Sequence, residues 1–155
     1  MPSFETTRRV PFTPEQMFDV VADVEAYPQF LPLCESLTVR SREDKDGGTV
    51  LVATMGVGYK AVHESFTTRV TLRPAERRIV VEYLDGPFRH LENLWRFEPT
   101  ADGSDVQFFI AYEFRSAPLQ LLMGTLFDKA FRKFAEAFEE RARSLYAAPQ
   151  PVTRG

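Results

Sequence analysis

Tyr27-Pro28-Gln29-Phe30-Leu31-Pro32-Leu33-Cys34 is an apolar, aromatic segment that contains two prolines. Because proline lacks an amide donor and fixes its φ angle, neither a long helix nor a central strand can continue through this segment. Surface loops rarely carry so many apolar side chains. The segment must therefore be covered by the protein's own core, by a lipophilic ligand or by a membrane. As a short buried connector, it would simply place Phe30, Leu31 and Leu33 in the core.

The composition is that of one globular domain. A chain of 155 residues can bury about 70% of the surface that its unfolded form exposes. Fourteen phenylalanines are an unusual number, and they suggest either a thick core between a sheet and a helix or an interior cavity lined by rings. We predict a single domain over residues 1–148 and a disordered tail over residues 149–155.

Charge and cysteine content exclude several classes of function. The net charge of −3 gives no general electrostatic attraction to nucleic acid, and we expect no DNA partner. The single cysteine, Cys34, rules out an internal disulfide, and with only His63 and His90 beside it the chain is poorly equipped for a metal site. No apolar run approaches the about 20 residues of a membrane span, and no signal-peptide core is present. We therefore expect a cytoplasmic protein. A peripheral location on the inner face of the cell membrane is compatible with this expectation.

The N-terminal part predicts one strand and two short helices. Ser3 to Val10 can form a first strand. Thr13 and Gln16 have the spacing of a capping box, with proline at the first helical position between them. A second short helix is expected between the two prolines of the apolar segment. Residues at helical spacing give the first helix its buried stripe: Met17, Val20, Val21 and Val24.

From Ser36 onward the apolar residues recur with a period of two, which indicates strands. Asp46-Gly47-Gly48 is a hairpin turn signal between the first two of these strands. One apolar face runs through the whole series, as in an antiparallel sheet that is covered on one side. The predicted strands are Leu37–Ser41, Val50–Val57, His63–Leu72, Ile79–Leu84, Leu91–Glu98 and Val106–Phe114.

The last element is predicted to be one long helix over Ala117 to Tyr146, with Ser116 as N-cap and Pro149 as its stop. At about 1.5 Å per residue it would be roughly 45 Å long. Its apolar stripe is so wide that it needs a large concave partner. A curved antiparallel sheet wrapped around this helix provides one, so the expected fold class is α+β.

With this order of elements, the sequence resembles the coenzyme Q-binding protein and ribosome-association toxin family of START-like (polyketide cyclase-like) domains. The resemblance covers essentially Ser3 to Tyr146. The family often has tryptophan where Leu33 stands, and that position stays large and apolar here. The segments that carry the resemblance are Tyr27–Cys34, Glu64–Val70, Asp85–Phe88 and Trp95-Arg96-Phe97.

The resemblance implies a START-like helix-grip fold with about seven strands and a protein without catalytic activity. It implies ubiquinone or a related isoprenoid quinone as a bound ligand, with no other cofactor. Respiratory or quinone-biosynthesis proteins are the implied partners, in support of electron transport or quinone biosynthesis. The toxin branch implies a different role, in which the protein binds the large ribosomal subunit and blocks subunit association.

A quinone with a polyisoprenoid tail needs a long apolar slot and one or two polar groups. Asn93 lies on the apolar face of its strand, and its amide can bond a quinone carbonyl or a backbone group, the backbone being favoured. The alternative for the aromatic residues is that they only pack on one another. The predicted ligand-binding residues are Phe30, Leu31, Phe66, Val70, Asn93, Trp95, Phe97, Phe108, Tyr112, Phe127, Phe131 and Phe134.

Signals of catalysis are weak. No GxSxG, HExxH or nucleotide-binding glycine pattern occurs in the chain. His63 and His90 stand at strand ends, and Glu64 shares a face with Phe66 but is expected to be solvated near the start of its strand. Cys34 is expected to be a buried structural thiol. We therefore predict no catalytic residue and no metal ligand.

Two macromolecular contacts remain open. Peripheral membrane contact would use Tyr27–Leu33 or the loop Asp85–Phe88. Ribosome binding would need a basic patch, which Arg73, Arg77 and Arg78 can form if the fold brings them near the helix. Salt sensitivity separates the quinone and ribosome functions, because phosphate contacts weaken steeply with ionic strength.

Overall fold

The computed structural model of the chain describes residues 2–146. Seven strands and three α-helices follow one another as β1 (Ser3–Val10), α1 (Pro14–Ala22), β2 (Cys34–Lys45), β3 (Gly48–Tyr59), β4 (Val62–Arg73), β5 (Arg78–Asp85), β6 (Phe88–Thr100), β7 (Gly103–Phe114), α2 (Ala117–Arg132) and α3 (Phe134–Tyr146). Two short 3₁₀ helices occupy Val24–Gln29 and Pro74–Glu76.

The strands form one antiparallel sheet in the order β1-β7-β6-β5-β4-β3-β2. Each strand from β2 onward is hydrogen-bonded to its sequence neighbour, and β1 pairs with the last strand. The predicted α+β class and the curved seven-stranded sheet are confirmed. β1 has the predicted bounds, β2 to β6 are longer than predicted at both ends, and β7 is longer at its start, because backbone pairing continues beyond the apolar core.

The turn between β2 and β3 has the geometry that its sequence predicts. Asp46 and Gly47 both have positive φ, at 52° and 78°. This is the type I′ pattern, whose twist matches that of the flanking strands. Gly86, with φ of 145°, ends β5, and a Cβ atom there would lie 2.5 Å from Phe66 Cβ. Only glycine lets the chain pass so close to Phe66 at this bend.

The predicted single C-terminal helix is in fact two helices, α2 and α3, which meet at Lys133. Ser116 caps α2 as predicted, since its hydroxyl accepts from the amide of Leu119. Neither proline nor glycine marks the break. Aromatic packing on both sides accompanies it, because Phe131 and Phe134 meet edge to face with ring centroids 5.2 Å apart.

The second short helix also differs from its prediction. It is the 3₁₀ helix Val24–Gln29, which contains Pro28 instead of following it. The first helix is as predicted, with a complete capping box between Thr13 and Gln16. The apolar segment that follows is covered mainly by the protein itself, because Tyr27 packs edge to face on Phe138 with ring centroids 5.2 Å apart.

A buried carboxylate fixes α3 to the first strand. Glu139 is almost fully buried, and it accepts hydrogen bonds from Arg8 of β1 and, at 2.7 Å, from Arg143 one turn later in α3. Two partners compensate the desolvation of this carboxylate. No helix within residues 2–146 is both long and apolar enough to cross a bilayer. The predicted stop at Pro149 and the predicted tail over 149–155 lie outside the described residues.

Candidate functional site: an apolar cavity between sheet and helices

A cavity lies between the concave face of the sheet and the helices α2 and α3. The free space inside it is about 80 Å³. The wall combines inward-facing residues of β2 to β7 with the 3₁₀ helix, the apolar segment and the inner sides of α2 and α3. Strand alternation explains its composition, since every second residue of a strand points to the same face.

The described part of the cavity wall contains no charged side chain. Its polar groups are the side chains of Tyr27, Thr68 and Asn93. The apolar part of the wall is formed by Val24, Leu31, Pro32, Leu33, Leu37, Ala53, Met55, Val57, Phe66, Val70, Ile79, Val81, Leu91, Trp95, Ile110, Phe127, Ala130, Phe131, Phe134 and Phe138.

Several lining residues of the cavity are only half-buried. Pro32 and Leu33 belong to the apolar segment, Leu37 and Met55 to β2 and β3, Val81 and Asn93 to β5 and β6, and Phe134 to the start of α3. We infer that the mouth lies where most of them gather, between this segment, the paired strands β2 and β3, and the junction of α2 with α3. Apolar side chains at an entrance favour a ligand that is itself apolar where it leaves the protein.

Most of the predicted ligand-binding residues converge on this cavity, while their contact with a ligand stays a prediction. The sequence did not single out several others, including Val24, Thr68 and Phe138. The period-two pattern Phe66-Thr68-Val70 would have found Thr68. The predicted residues on the wall are Leu31, Phe66, Val70, Asn93, Trp95, Phe127, Phe131 and Phe134.

Phe97 and Phe108 were expected on the wall, but the structure places them behind it. Phe97 is fully buried and packs edge to face against Phe18 of α1, with ring centroids 5.8 Å apart. Phe108 lies 4.6 Å from the ring of Trp95. Both rings therefore support Trp95 instead of facing the cavity.

Tyr112 and Phe30 are also outside the wall. The Tyr112 hydroxyl donates to the carbonyl of Gly124 in α2 at 3.0 Å, which turns it toward the backbone of that helix. Burial raises the pKa of Tyr112 to about 12. Phe30 packs edge to face on Phe138 and borders an outer groove, where the guanidinium of Arg141 lies 5.3 Å from its ring centre.

The amide of Asn93 is engaged within the protein. Its Nδ2 donates to the carbonyl of Phe109 at 2.8 Å, and its Oδ1 accepts from Trp95 Nε1 at 3.1 Å. The predicted preference for a backbone partner is confirmed, and the indole adds a second partner. Tyr27 is similarly engaged, because its hydroxyl donates to the carbonyl of Val21.

Thr68 is different from the other two polar residues of the wall. It is almost fully buried on β4 between Phe66 and Val70. Within residues 2–146 the hydroxyl of Thr68 has no hydrogen-bond partner. It is also not fully enclosed by the protein, unlike the unpaired hydroxyl of Thr100. The oxygen of Thr68 is thus the polar atom of the wall that remains open to a ligand.

Groups that could support catalysis lie elsewhere. Cys34 is buried, and burial raises the pKa of its thiol to about 11, so the thiolate is scarce at neutral pH. His63 bonds Glu35 at 2.9 Å on the surface, and His90 lies 3.7 Å from Glu92. Glu64 is half-buried near the start of β4 and does not line the cavity. Residues 2–146 contain no group of three potential metal ligands.

The outer face of the sheet carries a row of arginines. Arg73, Arg78 and Arg96 are directly paired across β4, β5 and β6. Arg73 lies 3.6 Å from Glu76 and Arg96 lies 3.9 Å from Glu98, whereas Arg78 has no acidic partner within 4.0 Å among the described residues. The third residue of the predicted basic patch, Arg77, instead pairs with Glu15 of α1 at 3.1 Å.

Comparison with known proteins identifies the family. A family model described as "Polyketide cyclase / dehydrase and lipid transport" matches residues 10–139. The chain belongs to this family. A solved structure with 36% sequence identity, that of the 18 kDa Protein CC1736 from Caulobacter crescentus, superposes with a TM-score of 0.77 and covers 96% of this chain and 100% of that one. The START-like helix-grip fold that the sequence predicted is thereby confirmed.

Similar proteins carry names of two kinds. Ribosome association toxin RatA from Rickettsia prowazekii is 31% identical over 148 residues, which cover 94% of this chain and 99% of that protein. The mitochondrial Coenzyme Q-binding protein COQ10 homolog B from Xenopus laevis is 34% identical over 140 residues. These cover 87% of this chain but only 55% of that protein. Both branches named in the predicted resemblance are thus present among the relatives.

Proposed function

We propose that this protein binds a polyisoprenoid quinone such as ubiquinone in the cavity between sheet and helices, without catalysing a reaction. The observation that carries the proposal is a wall of apolar and aromatic side chains without a charged group. A charged ligand would lose its hydration there without gaining a counter-ion. A neutral amphiphile loses little, because nearly all of its surface is hydrocarbon.

The apolar entrance of the cavity supports this ligand class more than its size does. The free space of about 80 Å³ is smaller than the about 300–1,000 Å³ of typical small-molecule sites. Side chains of the wall, such as Phe127, Phe131 and Phe134, must therefore move to admit a quinone ring. The rest of a long tail would leave through the mouth, between the apolar side chains of Leu33, Leu37 and Phe134.

Thr68 is the proposed anchor for the quinone ring. Its hydroxyl can donate one hydrogen bond to a ring carbonyl, which is the polar atom that a quinone offers. Asn93 and Tyr27 would instead contribute to the shape of the cavity wall, because both already form hydrogen bonds with protein atoms. One polar contact in an apolar slot matches a ligand with a small polar head and a long hydrocarbon tail.

The chemistry of the wall also supports a carrier over an enzyme. General acid–base catalysis needs a titratable group within hydrogen-bond reach of the substrate. His63, His90 and Glu64 lie away from the cavity, and the thiol of Cys34 stays protonated at neutral pH. The proposed role is therefore to hold quinone for respiratory electron transport or quinone biosynthesis, in line with the name of the coenzyme Q-binding relative.

Extraction of the purified protein followed by mass spectrometry tests the proposal, because a carrier should retain a quinone. Added quinone should also raise the free energy of unfolding by about 2.7 kcal/mol at a free concentration about 100-fold above Kd. Met55→Glu puts a carboxylate at the mouth and should abolish this gain. Val52→Glu, on the outer face of the same strand, should leave it intact. A quinone that stabilises neither the wild type nor the control contradicts the proposal.

A second candidate function is association with the ribosome, which the arginine row Arg73, Arg78 and Arg96 favours. Like charges directly opposite one another on a sheet are destabilising, so this row would gain from phosphate groups bound across it. Lipid binding does not account for such a row. The relatives named ribosome association toxin add support to this candidate.

Sedimentation with ribosomal subunits separates the second candidate from the first. Association should weaken steeply between low and moderate salt, since each phosphate contact releases counterions. Arg78→Gln combined with Arg96→Gln should reduce the binding and its salt dependence, while Arg42→Gln on β2 serves as the control for loss of a surface arginine. Binding that is unchanged in the double variant excludes the arginine row as the contact surface.

A further inference from the structure

Two adjacent leucines at the start of α2 lie in solvent. Leu121 is 85% exposed and Leu122 is 62% exposed, the highest values among the large hydrophobic side chains of the described chain. A single exposed leucine is ordinary. Here the pair is contiguous, and Pro118, one turn earlier, is exposed as well. Exposed apolar side chains that group on one side of a helix make that side a candidate for an interaction site.

The same side of α2 becomes basic further along the helix. Lys129 follows Leu122 by seven residues, which is two helical turns, and is exposed. Neither Lys129 nor the exposed Lys133 has an acidic partner within 4.0 Å in residues 2–146. From Arg115 to Lys133 the chain has four basic residues and one acidic residue, hence a formal charge of +3 in a chain with −3 overall.

The opposite side of this helix forms part of the cavity wall. Phe127, Ala130 and Phe131 point inward and line the cavity, while Lys129 points outward between them. One helix therefore separates the cavity from the exposed leucines. Its junction with α3, at Lys133, lies beside the mouth, where Phe134 is half-buried.

We propose that the outward stripe of α2 docks this protein on a bilayer surface that contains anionic lipid. The stripe consists of Pro118, Leu121, Leu122, Thr125 and Lys129, all of them exposed. The two leucines insert at the level of the headgroups, as the apolar face of an interfacial helix does. Lys129 and the neighbouring Lys133 contact lipid phosphates, which attract basic residues within a Debye length of the surface.

This surface differs from the two that the sequence indicated, Tyr27–Leu33 and Asp85–Phe88. The first of these is largely occupied by packing on α3, since Tyr27 and Phe30 both contact Phe138. Charge complementarity favours a bilayer over a second copy of this chain, because another copy would bring the same basic segment to the contact. The proposal rests on the proposed function only in that a bilayer is where a quinone resides.

Flotation with lipid vesicles tests the proposal on the full chain without any quinone. One set of vesicles is phosphatidylcholine, and the other also contains phosphatidylglycerol. The double variant Leu121→Gln, Leu122→Gln should lower binding to the mixed vesicles by about tenfold or more, because two apolar side chains no longer leave water. Lys129→Gln should lower it by about fivefold on the mixed vesicles alone. Leu145→Gln, at a position that is 51% exposed on α3, is the matched control and should bind like the wild type.

Equal binding of the double variant and the wild type overturns the proposal, as does an equal loss in Leu145→Gln. Sedimentation velocity tests the alternative that the stripe is an interface between two copies of the chain. A dimer of the wild type that is absent in the double variant would support this alternative and overturn the proposal. The gain in the free energy of unfolding on adding quinone is measured on the same variants and should equal that of the wild type. A protein that floats with vesicles but gains no stability from quinone would contradict the proposed function alone.

Discussion

Asn93 and Trp95 orient each other on the cavity wall, because Oδ1 of the asparagine accepts a hydrogen bond of 3.1 Å from Nε1 of the tryptophan. Two positions apart on β6, they face the same side of the sheet. Nδ2 of Asn93 donates in turn to the carbonyl of Phe109 on β7. The amide thus links the only tryptophan of the chain to the neighbouring strand.

Replacing Asn93 by leucine should therefore destabilise the protein more than it weakens ligand binding. The variant leaves the indole N–H and the carbonyl of Phe109 without a partner, which costs about 1–3 kcal/mol in the free energy of unfolding. Urea denaturation measures this loss, and Glu92→Gln, at the exposed neighbouring position, is the control. Unchanged stability in Asn93→Leu would contradict the structural role of the amide.

Two phenylalanines of α3 should respond differently to truncation. Phe138 is 1% exposed and contacts Tyr27, Phe30 and Trp95, so Phe138→Ala should cost about 3–5 kcal/mol. Phe134 is half-buried at the mouth, so truncation of its side chain creates a smaller void in the core. We expect a clearly smaller loss of stability in Phe134→Ala, together with weaker quinone binding. Equal losses in the two variants would contradict the position of the mouth.

The thiol of Cys34 makes a pH dependence predictable. Burial raises its pKa from 9.0 to about 11, so the folded protein holds this proton more tightly than the unfolded chain does. The resulting stabilisation is complete below about pH 9 and is lost as the pH rises through about 11. Comparison of wild type with Cys34→Ala isolates this contribution from those of Tyr27 and Tyr112, whose pKa values burial also raises.

The measurement for Cys34 is chemical denaturation as a function of pH, together with the rate of thiol alkylation. The difference in the free energy of unfolding between wild type and Cys34→Ala should shrink between pH 9 and 11. Alkylation of the folded protein near pH 8 should be much slower than that of the unfolded chain, because the thiolate is the reactive form. Rapid alkylation near pH 8 would show a reactive thiol instead.

Thr68 offers the sharpest test of how the quinone ring is held. Thr68→Val keeps the shape of the side chain and removes the hydroxyl, and it should weaken quinone binding by one hydrogen bond, about 0.5–1.5 kcal/mol. Binding of a hydrocarbon without a carbonyl should be unaffected. Thr71→Val on the outer face of the same strand is the matched control. Equal quinone affinity in both variants would exclude Thr68 as the anchor.

Strands and their inner faces could be predicted because alternation is a local signal. The face of Phe66, Thr68 and Val70 is buried as predicted, and β1 has the predicted bounds. The break at Lys133 could not be predicted, since helical spacing continues across it and neither proline nor glycine marks it. The same limit applies to Phe97 and Phe108, which share a face with Trp95 but lie too deep to reach the cavity.

The open polar atom of the wall was also beyond a prediction from sequence. Asn93 and Thr68 both stand among apolar residues of their strands, so periodicity treats them alike. Their difference depends on neighbours from other strands: the carbonyl of Phe109 and the indole of Trp95 satisfy Asn93, while Thr68 has no partner among the described residues. Hydrogen-bond satisfaction is a property of the assembled sheet.

Trp95 allows the central proposal, quinone in the cavity, to be tested directly. It is the only tryptophan of the chain and lines the cavity, so a bound quinone should quench its fluorescence. Titration with ubiquinones of increasing tail length should give saturable quenching, with affinity rising about fourfold per newly buried methylene until the slot is full. Met55→Glu should abolish the saturable component and Val52→Glu should keep it. Quenching that is linear in quinone concentration and equal in both variants would be collisional, and would contradict quinone binding in the cavity.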